Sequence, residues 1–172
     1  MRRTISRRTM MLGAGAGLAL AARRGAAAAA GRGPVTGLPL PRYVSLKAGR
    51  ANARRGPGLN HRVDWVFVRR GMPLQVIAEH EHWRRVRDMD GAVGWVHYSL
   101  LRGDRTAAVT VPRAALRARP APDAPVVAWL EERVIVALDS CRERWCKARV
   151  EGRSGWIAKP ELWGVDPDET FD

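Results

Sequence analysis

The strongest constraint on the fold of this chain is an internal duplication. The segment WRRV that begins at Trp83 recurs as WCKA from Trp145. Further along, Gly94-Trp95-Val96 recurs as Gly155-Trp156-Ile157. The two matches are separated by 62 and 61 residues, so one residue is lost between the landmarks. A repeat of this length corresponds to one supersecondary unit, and two copies predict two small units in tandem.

These landmarks define units at residues 43–103 and 110–164. A charged joint near residues 102–105 separates them. Each unit consists of short β-rich runs separated by turns, such as the Asp90-Gly91 turn of the first unit. The strands predicted for the first unit lie at residues 65–68, 74–79, 83–87 and 92–96. Neither unit has a sustained helical period, so we expect an all-β chain of two small, closed or nearly closed barrels.

The order of these residues resembles a known family. The first copy contains, in order, Arg54-x-Gly56-Pro57, the central Trp83, Gly94-Trp95-Val96 and a terminal Leu101. This series is similar to a bacterial SH3 (Src-homology 3) domain. The resemblance implies small, partly open β-barrels that bind peptides or cell-wall material and do not catalyse a reaction.

The second copy keeps this order with changes in its first loop. The alignment of the two units matches Arg54 with Arg119 and replaces Gly56 by Ala121. We therefore expect the first loop of the second copy to have a different shape. The ending LWGVDP and the two cysteines resemble the second half of an exported tandem-SH3 family of proteobacteria. The resemblance covers residues 43–167.

Residues 1–30 have the organisation of a cleavable export signal. A basic start precedes thirteen uncharged residues at 10–22, and the segment ends in five alanines. Ser6-Arg7-Arg8 resembles a twin-arginine signal, although the general secretory route stays open. Cleavage is expected after Ala30, which predicts a periplasmic or otherwise exported protein. The alternative is a retained basic helix, which the glycines of this segment disfavour.

Charge is distributed unevenly along the chain. Loss of the six arginines of the signal lowers the formal charge from +13 to +7. The first unit then carries +6, and residues 165–172 form an acidic tail. Residues 31–42 contain three prolines and three glycines, and we expect a flexible linker there. A basic exported unit favours an anionic partner outside the cytoplasm over nucleic acid.

The only two cysteines, Cys141 and Cys146, flank the predicted hairpin turn of the second unit. Directly opposed antiparallel residues lie about 4.5 Å apart at Cα, within reach of a disulfide. Closing this short loop stabilises the fold by about 2 kcal/mol. Glu79 and Arg84 hold the same positions in the first unit and are expected to form an ion pair. A free or redox-active cysteine pair and a metal site are the alternatives.

Seven side chains are candidates for ligand binding. Alternation along the fourth strand turns Trp95 and Trp156 outward, because Val96 and Ile157 point inward. SH3-like modules hold peptides in aromatic grooves, and arginines contact acidic groups. The candidates are Arg54, Arg69, Arg70, Trp83, Trp95, Tyr98 and Trp156. Tryptophans that build the small cores and arginines that are only solvated are the alternatives.

The histidines offer a weaker signal. His80, Glu81 and His82 lie at a predicted hairpin tip and could bind a metal, but a solvated tip is the simpler interpretation. Ser99 and His97 are neighbours in sequence without a catalytic motif around them. We therefore expect no enzyme activity, no metal and no cofactor.

Three functions compete at this point. The leading hypothesis is an exported module that binds peptidoglycan peptides, an envelope protein or an anionic polymer. The second is a structural or assembly partner whose two barrels pack rigidly on each other. The third is a nucleic-acid binder retained in the cytoplasm, which the export signal disfavours. No membrane-spanning segment is expected, because no apolar run reaches the length needed.

Overall fold

The computed structural model describes residues 31–172, so the predicted export signal lies outside the described residues. These residues form a two-stranded ribbon and two seven-stranded antiparallel sheets. The predicted all-β architecture of two tandem units is confirmed. None of the helices formed by residues 31–172 is long and apolar enough to cross a membrane.

The ribbon and the first sheet occupy residues 31–102. The ribbon pairs β1 (Gly31–Arg32) with β2 (Pro39–Leu40). The strands of the first sheet are β3 (Arg42–Leu46), β4 (Ala51–Arg54), β5 (Val63–Phe67), β6 (Pro73–His80), β7 (Trp83–Arg87), β8 (Val93–His97) and β9 (Leu101–Arg102). Their order is β5-β4-β8-β7-β6-β3-β9, and a 3-10 helix, Tyr98–Leu100, separates β8 from β9.

The second sheet repeats this topology. Its strands are β10 (Thr106–Val109), β11 (Arg113–Arg117), β12 (Val126–Glu131), β13 (Ile135–Arg142), β14 (Trp145–Val150), β15 (Arg153–Ala158) and β16 (Leu162–Trp163). Their order is β12-β11-β15-β14-β13-β10-β16, and a 3-10 helix, Lys159–Glu161, precedes β16. The first strand begins at Thr106, four residues before the expected start of this unit.

Each sheet encloses its own hydrophobic core and thus forms a partly open barrel. In the first barrel, alternate residues of β6, β7 and β8 point inward, so that Val76, Val86 and Val96 are fully buried. In the second barrel, Val136 and Ile157 are buried in the same way. Two separate cores of this size agree with two repeats that fold as similar units.

The glycine of each Gly-Trp landmark lies where two strands approach closely. A Cβ atom added at Gly94 would lie 2.7 Å from the Cβ atom of Ala53 in β4. At Gly155 the added atom would lie 2.7 Å from the carbonyl oxygen of Arg117 in β11. Both contacts are too short for a side chain, which explains why glycine precedes the tryptophan in both copies.

The first loops of the two barrels have the same hydrogen bonds. Arg54 Nη1 donates to the carbonyl oxygen of His61 at 2.7 Å, and Arg117 Nη1 donates to that of Ala124 at 2.8 Å. Three backbone hydrogen bonds within these loops recur at the same spacing of 63 residues. The structural counterpart of Arg54 is therefore Arg117, and the predicted match with Arg119 is wrong by two residues. The expected difference in loop shape is also wrong.

The segment 31–42 does not form the expected flexible linker, because a carboxylate of the first barrel holds it. Glu79 accepts hydrogen bonds from the backbone N–H groups of Val35 at 3.1 Å and Thr36 at 2.9 Å. It also accepts from Thr36 Oγ1 and Arg42 Nη2, each at 2.7 Å. Proline and glycine content led to the expectation of a flexible linker and gave no sign of the ribbon or of its anchor on the barrel.

The acidic tail is anchored in a similar way on the second barrel. The backbone groups of Phe171 and Cys141 exchange two hydrogen bonds, at 2.8 and 3.0 Å. Lys159 Nζ donates to the carbonyl oxygens of Glu169 at 2.6 Å and Pro167 at 3.1 Å. The charges of the tail are thus partly engaged by the barrel rather than projecting as a free acidic segment.

The two barrels touch through polar contacts near the joint. Thr106 Oγ1 donates to the carbonyl oxygen of Gly71 at 2.8 Å, and this hydrogen bond is buried. The guanidinium of Arg133 donates two hydrogen bonds of 2.8 Å to the carboxylate of Asp90. These contacts connect turns of the first barrel to strand β10 and the β12–β13 turn of the second.

Candidate ligand-binding site on the first barrel

Strands β7 and β8 carry aromatic side chains on the side of the first barrel that faces away from its core, although Trp83 is only 9% exposed. Trp83 pairs with His97 across the two strands, and Arg85 pairs with Trp95. Because Val96 is fully buried, its neighbours Trp95 and His97 point away from the core. The outer face therefore combines indole, imidazole and guanidinium groups in one continuous row.

A cavity of about 320 Å³ lies beside this row. Its lining combines aromatic, basic and apolar side chains from β4, the first loop, β7 and the end of β8. They are Arg50, Ala51, Asn52, Arg54, Leu59, Trp83, His97 and Leu100. The volume is at the lower end of the range of about 300–1,000 Å³ that is typical of small-ligand sites.

Arg54 is fixed at the rim of this cavity by its backbone and by its side chain. It ends strand β4 and pairs with Trp95 of β8. Its Nη1 atom donates to the carbonyl oxygen of His61, which orients the guanidinium plane. A guanidinium has five N–H donors, so this bond leaves further donors for a carboxylate ligand.

His97 is held by two neighbours. Its ring meets Trp83 edge to face, with 5.5 Å between the ring centroids and an interplanar angle of 86°. Its Nδ1 atom lies 2.8 Å from Ser99 Oγ and accepts a 3.4 Å hydrogen bond from the Ser99 backbone N–H. The ring therefore caps the 3-10 helix and is oriented before any ligand arrives.

The corresponding position of the second barrel lacks the imidazole. Trp145, the counterpart of Trp83, pairs with Ala158 rather than with a histidine. Arg117 keeps the position of Arg54, because the first loops are alike. The two barrels therefore share a scaffold but differ in the chemistry of this surface.

The structure brings only some of the predicted binding residues together. Arg54 and Trp83 line the cavity, and Trp95 lies beside Trp83 on the same face. Arg69 lies elsewhere, because its Nη1 atom donates to the carbonyl oxygen of Arg133 at 2.9 Å. Tyr98 lines a different cavity, although its ring lies 4.9 Å from that of His97. The predicted binding residues are therefore distributed over more than one surface.

Two other predicted binding residues, Arg70 and Trp156, do not line this cavity. Arg70 is exposed in the turn before β6. Trp156 belongs to the second barrel, where it pairs with Lys147 and Arg117 on neighbouring strands. Trp156 is thus the counterpart of Trp95 and not a part of the cavity on the first barrel.

Sequence reasoning missed several residues of this surface. His97 follows Trp95 by two positions, so strand alternation could have placed it on the same outer face. Leu59 lies in the first loop, where no periodic pattern predicts its direction. Trp65, which is 53% exposed, lines a separate cleft of about 570 Å³ between the barrels and was not selected either.

The predicted disulfide is confirmed in the second barrel. Cys141 and Cys146 are bonded and pair directly on β13 and β14, with 4.1 Å between their Cα atoms. In the first barrel, Glu79 and Arg84 pair at the equivalent position. Their ion pair joins Arg84 Nε and Glu79 Oε1 at 3.6 Å, so this predicted contact is present as well.

Glu79 is held as a carboxylate although its side chain is fully buried. Burial raises its pKa, but hydrogen bonds from Thr36, Arg42 and the backbone of Val35 outweigh this effect. The result is a pKa of about 2, below the usual value of 4.5. The negative charge that anchors the ribbon is therefore present at neutral pH.

Two of the other histidines, His80 and His82, lie near aromatic rings. The rings of His80 and Trp95 meet edge to face with 6.5 Å between centroids, and those of His82 and Tyr98 are 5.7 Å apart. Within residues 31–172 there is no group of three or more histidine, cysteine, aspartate or glutamate side chains that could hold a metal ion.

The fold and the duplicated strand order define a protein of two tandem small β-barrels. The family model described as a bacterial SH3 domain matches the chain twice, at residues 47–103 and 110–164. The chain therefore belongs to the bacterial SH3 domain family. No curated protein was found to match it.

Solved structures with a similar arrangement belong to longer proteins. NlpC2 from Trichomonas vaginalis is 15% identical over 72% of this chain and 48% of its own, with a TM-score of 0.33. An NlpC/P60 family protein from Bacillus cereus ATCC 10987 is 12% identical over 70% of this chain and 55% of its own, also with a TM-score of 0.33. This chain spans about half the length of these structures.

Proposed function

We propose that this protein is an exported, non-catalytic binding module whose first barrel holds a peptide of the cell wall. The observation that supports this function is the cavity formed by Trp83, His97 and Arg54. Its aromatic wall suits an apolar or aliphatic portion of a ligand, and its arginine rim suits a carboxylate. Peptidoglycan peptides combine short aliphatic side chains with free carboxylates.

Family membership and the amino-acid sequence support the same proposal. Bacterial SH3 domains often bind cell-wall components. The first barrel carries most of the positive charge of residues 31–172, which favours encounter with an anionic wall. The order of charged, apolar and small residues at positions 1–30 supports export.

Pull-down on purified cell wall tests this function. Protein recovered from the envelope fraction is incubated with purified peptidoglycan, and the bound fraction is measured with increasing salt. We expect His97→Ala to reduce binding, because alanine is the residue that the second barrel has at this position. Trp129→Ala removes an exposed aromatic side chain of the second barrel; it is the control and should bind normally.

If the His97→Ala variant and the unaltered protein bind peptidoglycan equally, the cavity is not the binding site. Export is tested separately by cell fractionation of the Arg7→Lys/Arg8→Lys variant. If the unaltered chain remains in the cytoplasm and begins at Met1, the export proposal is wrong even where the purified protein binds peptidoglycan.

The contacts between the barrels favour a second candidate function, that of an assembly partner. The buried hydrogen bond from Thr106 to Gly71 and the ion pair of Arg133 with Asp90 connect two barrels that could present one rigid surface. Two results together would favour this function over the first. One is an envelope protein that crosslinks to this chain in vivo in constant ratio, and the other is failure of the chain to bind peptidoglycan.

A further inference from the structure

A second cavity, of about 400 Å³, lies where the N-terminal ribbon, the first barrel and the joint between the barrels meet. Leu38 comes from the ribbon segment and Val44 from β3. Arg102 ends β9, and Arg105 immediately precedes β10. The cavity is therefore built from parts of the chain that come together only in the complete fold.

The charged side chains that line this cavity are all arginines. Arg42, Arg84, Arg102 and Arg105 belong to the lining, and no carboxylate does. Their acidic partners stand outside the lining. Glu79, with a fully buried side chain, serves both Arg42 and Arg84. Arg102 pairs with Asp104, and Arg105 pairs with Glu169. Three carboxylates therefore compensate four guanidinium groups, which leaves the cavity wall with one positive charge in excess.

Two of these arginines contain buried N–H groups without a partner. Arg42 Nη1 and Arg105 Nε are buried and have no hydrogen-bond partner among residues 31–172. A buried donor left unpaired costs about 1–3 kcal/mol, and more when the group is charged. Both residues line the same cavity, so guanidinium groups with unused N–H donors lie next to it.

The rest of the lining is mainly apolar or aromatic. Leu38, Val44 and Leu101 contribute aliphatic surface, and Tyr43 and Tyr98 contribute rings. A fully hydrated small anion would bury none of this apolar surface, whereas a ligand with an apolar portion next to its charge would cover it. The lining therefore favours an amphipathic anion over an inorganic one.

We propose that this cavity binds a small amphipathic anion, with a phosphate or carboxylate group on the arginines and a short apolar chain against Leu38 and Leu101. The site is separate from the Trp83–His97 cavity and does not depend on the proposed binding of cell-wall peptides. The ribbon and the joint both line the cavity, so a bound ligand would also stabilise the docking of these two segments on the first barrel.

Calorimetric titration of the full-length chain tests this site with four probes. Hexyl phosphate and hexanoate have the proposed chemistry, hexanol lacks the charge, and inorganic phosphate lacks the apolar chain. We expect one molecule of hexyl phosphate or hexanoate to bind per chain, with inorganic phosphate at least about tenfold weaker and hexanol without measurable binding. The stronger of the first two probes identifies the anionic group.

Variants locate the binding on the cavity. Arg102→Gln removes one of the lining guanidinium groups and should weaken binding of hexyl phosphate by about tenfold, the scale of one charge-assisted hydrogen bond. Arg149→Gln makes the same change in an exposed ion pair of the second barrel and should leave binding unaltered. Equal weakening in both variants would show a general charge effect and overturn the proposal.

Amide chemical shifts provide an independent measurement that does not rely on substitution. With hexyl phosphate, we expect the largest shifts at Thr36 and Gly103, which line the cavity from the ribbon and from the joint. Absence of binding, or shifts confined to the Trp83–His97 surface or to residues 1–30, would contradict the proposed site.

Discussion

Glu79 in the first barrel and Cys141 in the second occupy the same position on equivalent hairpins, and each holds a terminal segment of the chain. The Glu79 carboxylate binds the backbone N–H groups of Val35 and Thr36. The backbone of Cys141 pairs with that of Phe171. The duplication thus extends to how the barrels anchor the two ends of the described chain, although one anchor is a carboxylate and the other is a strand pairing next to a disulfide.

The depressed pKa of Glu79 predicts a loss of stability in acid. A carboxyl group with a folded pKa of about 2 and an ordinary value of 4.5 stabilises the fold fully above about pH 5. That contribution is lost as the pH falls from about 5 towards 2, because the folded state then has to take up a proton that the unfolded state already holds. Allowing for screening around the partly exposed Arg42, we expect a loss on the order of 2 kcal/mol.

Denaturant unfolding between pH 7 and pH 2.5 measures this effect. Glu79→Gln should be less stable than the unaltered protein at pH 7, and the difference should shrink steadily below about pH 5. Asp139→Asn, which breaks the surface ion pair with Arg149, is the control and should change stability little. A Glu79→Gln difference that stays constant with pH would show that the carboxylate is not the anchor.

Loss of the disulfide is expected to weaken the second barrel. Cys141 and Cys146 close a short loop, for which the chain-entropy model gives about 2 kcal/mol. The Cys141→Ala/Cys146→Ala variant should therefore unfold at lower urea concentration by that free energy. Addition of reductant should destabilise the unaltered protein by a similar amount and should leave the double variant unaffected.

The larger part of the fold could be predicted from the sequence because the duplication repeats its strand landmarks. Trp83 and Trp95 mark strands β7 and β8, and their counterparts mark β14 and β15. Alternation along each strand predicts which side chains face the core. The pairing of Cys141 with Cys146 followed from the hairpin position. Signals of this kind depend on residues close in sequence, and such contacts were predicted well.

Contacts between distant segments were harder to predict. The ribbon at residues 31–40 is proline- and glycine-rich, and nothing in its composition indicates that Glu79 binds it. The alignment of the first loops was wrong because the repeated Arg-x-x-Pro spacing offers two registers, and only the hydrogen bonds of Arg54 and Arg117 decide between them. The arginine-lined cavity is built from six segments between the ribbon and the joint, so no single motif contains it.

The two landmark glycines should tolerate no side chain. Gly94→Ala would place a Cβ atom 2.7 Å from Ala53 Cβ, and Gly155→Ala would place one 2.7 Å from a backbone oxygen. We expect each to destabilise its barrel by about 1–3 kcal/mol, the usual cost of forcing atoms into a packed interior. Gly49→Ala and Gly103→Ala meet no atom within 4 Å and are the controls. Thermal unfolding of the four variants should separate these pairs, and equal melting temperatures would contradict the close strand approach.

Substitution of the loop arginines separates structure from binding. Arg54→Ala and Arg117→Ala each remove a hydrogen bond from a charged donor to a backbone carbonyl, so both should cost about 1–2 kcal/mol of stability. Arg119→Ala should cost little, because Arg119 is exposed and is not the counterpart of Arg54.

Only Arg54→Ala should also weaken binding to purified peptidoglycan, since Arg54 lines the cavity beside Trp83 and His97. Urea unfolding and the peptidoglycan pull-down, made on the same three proteins, measure the two effects independently. If Arg117→Ala reduces peptidoglycan binding as much as Arg54→Ala, the assignment of binding to the first barrel is wrong.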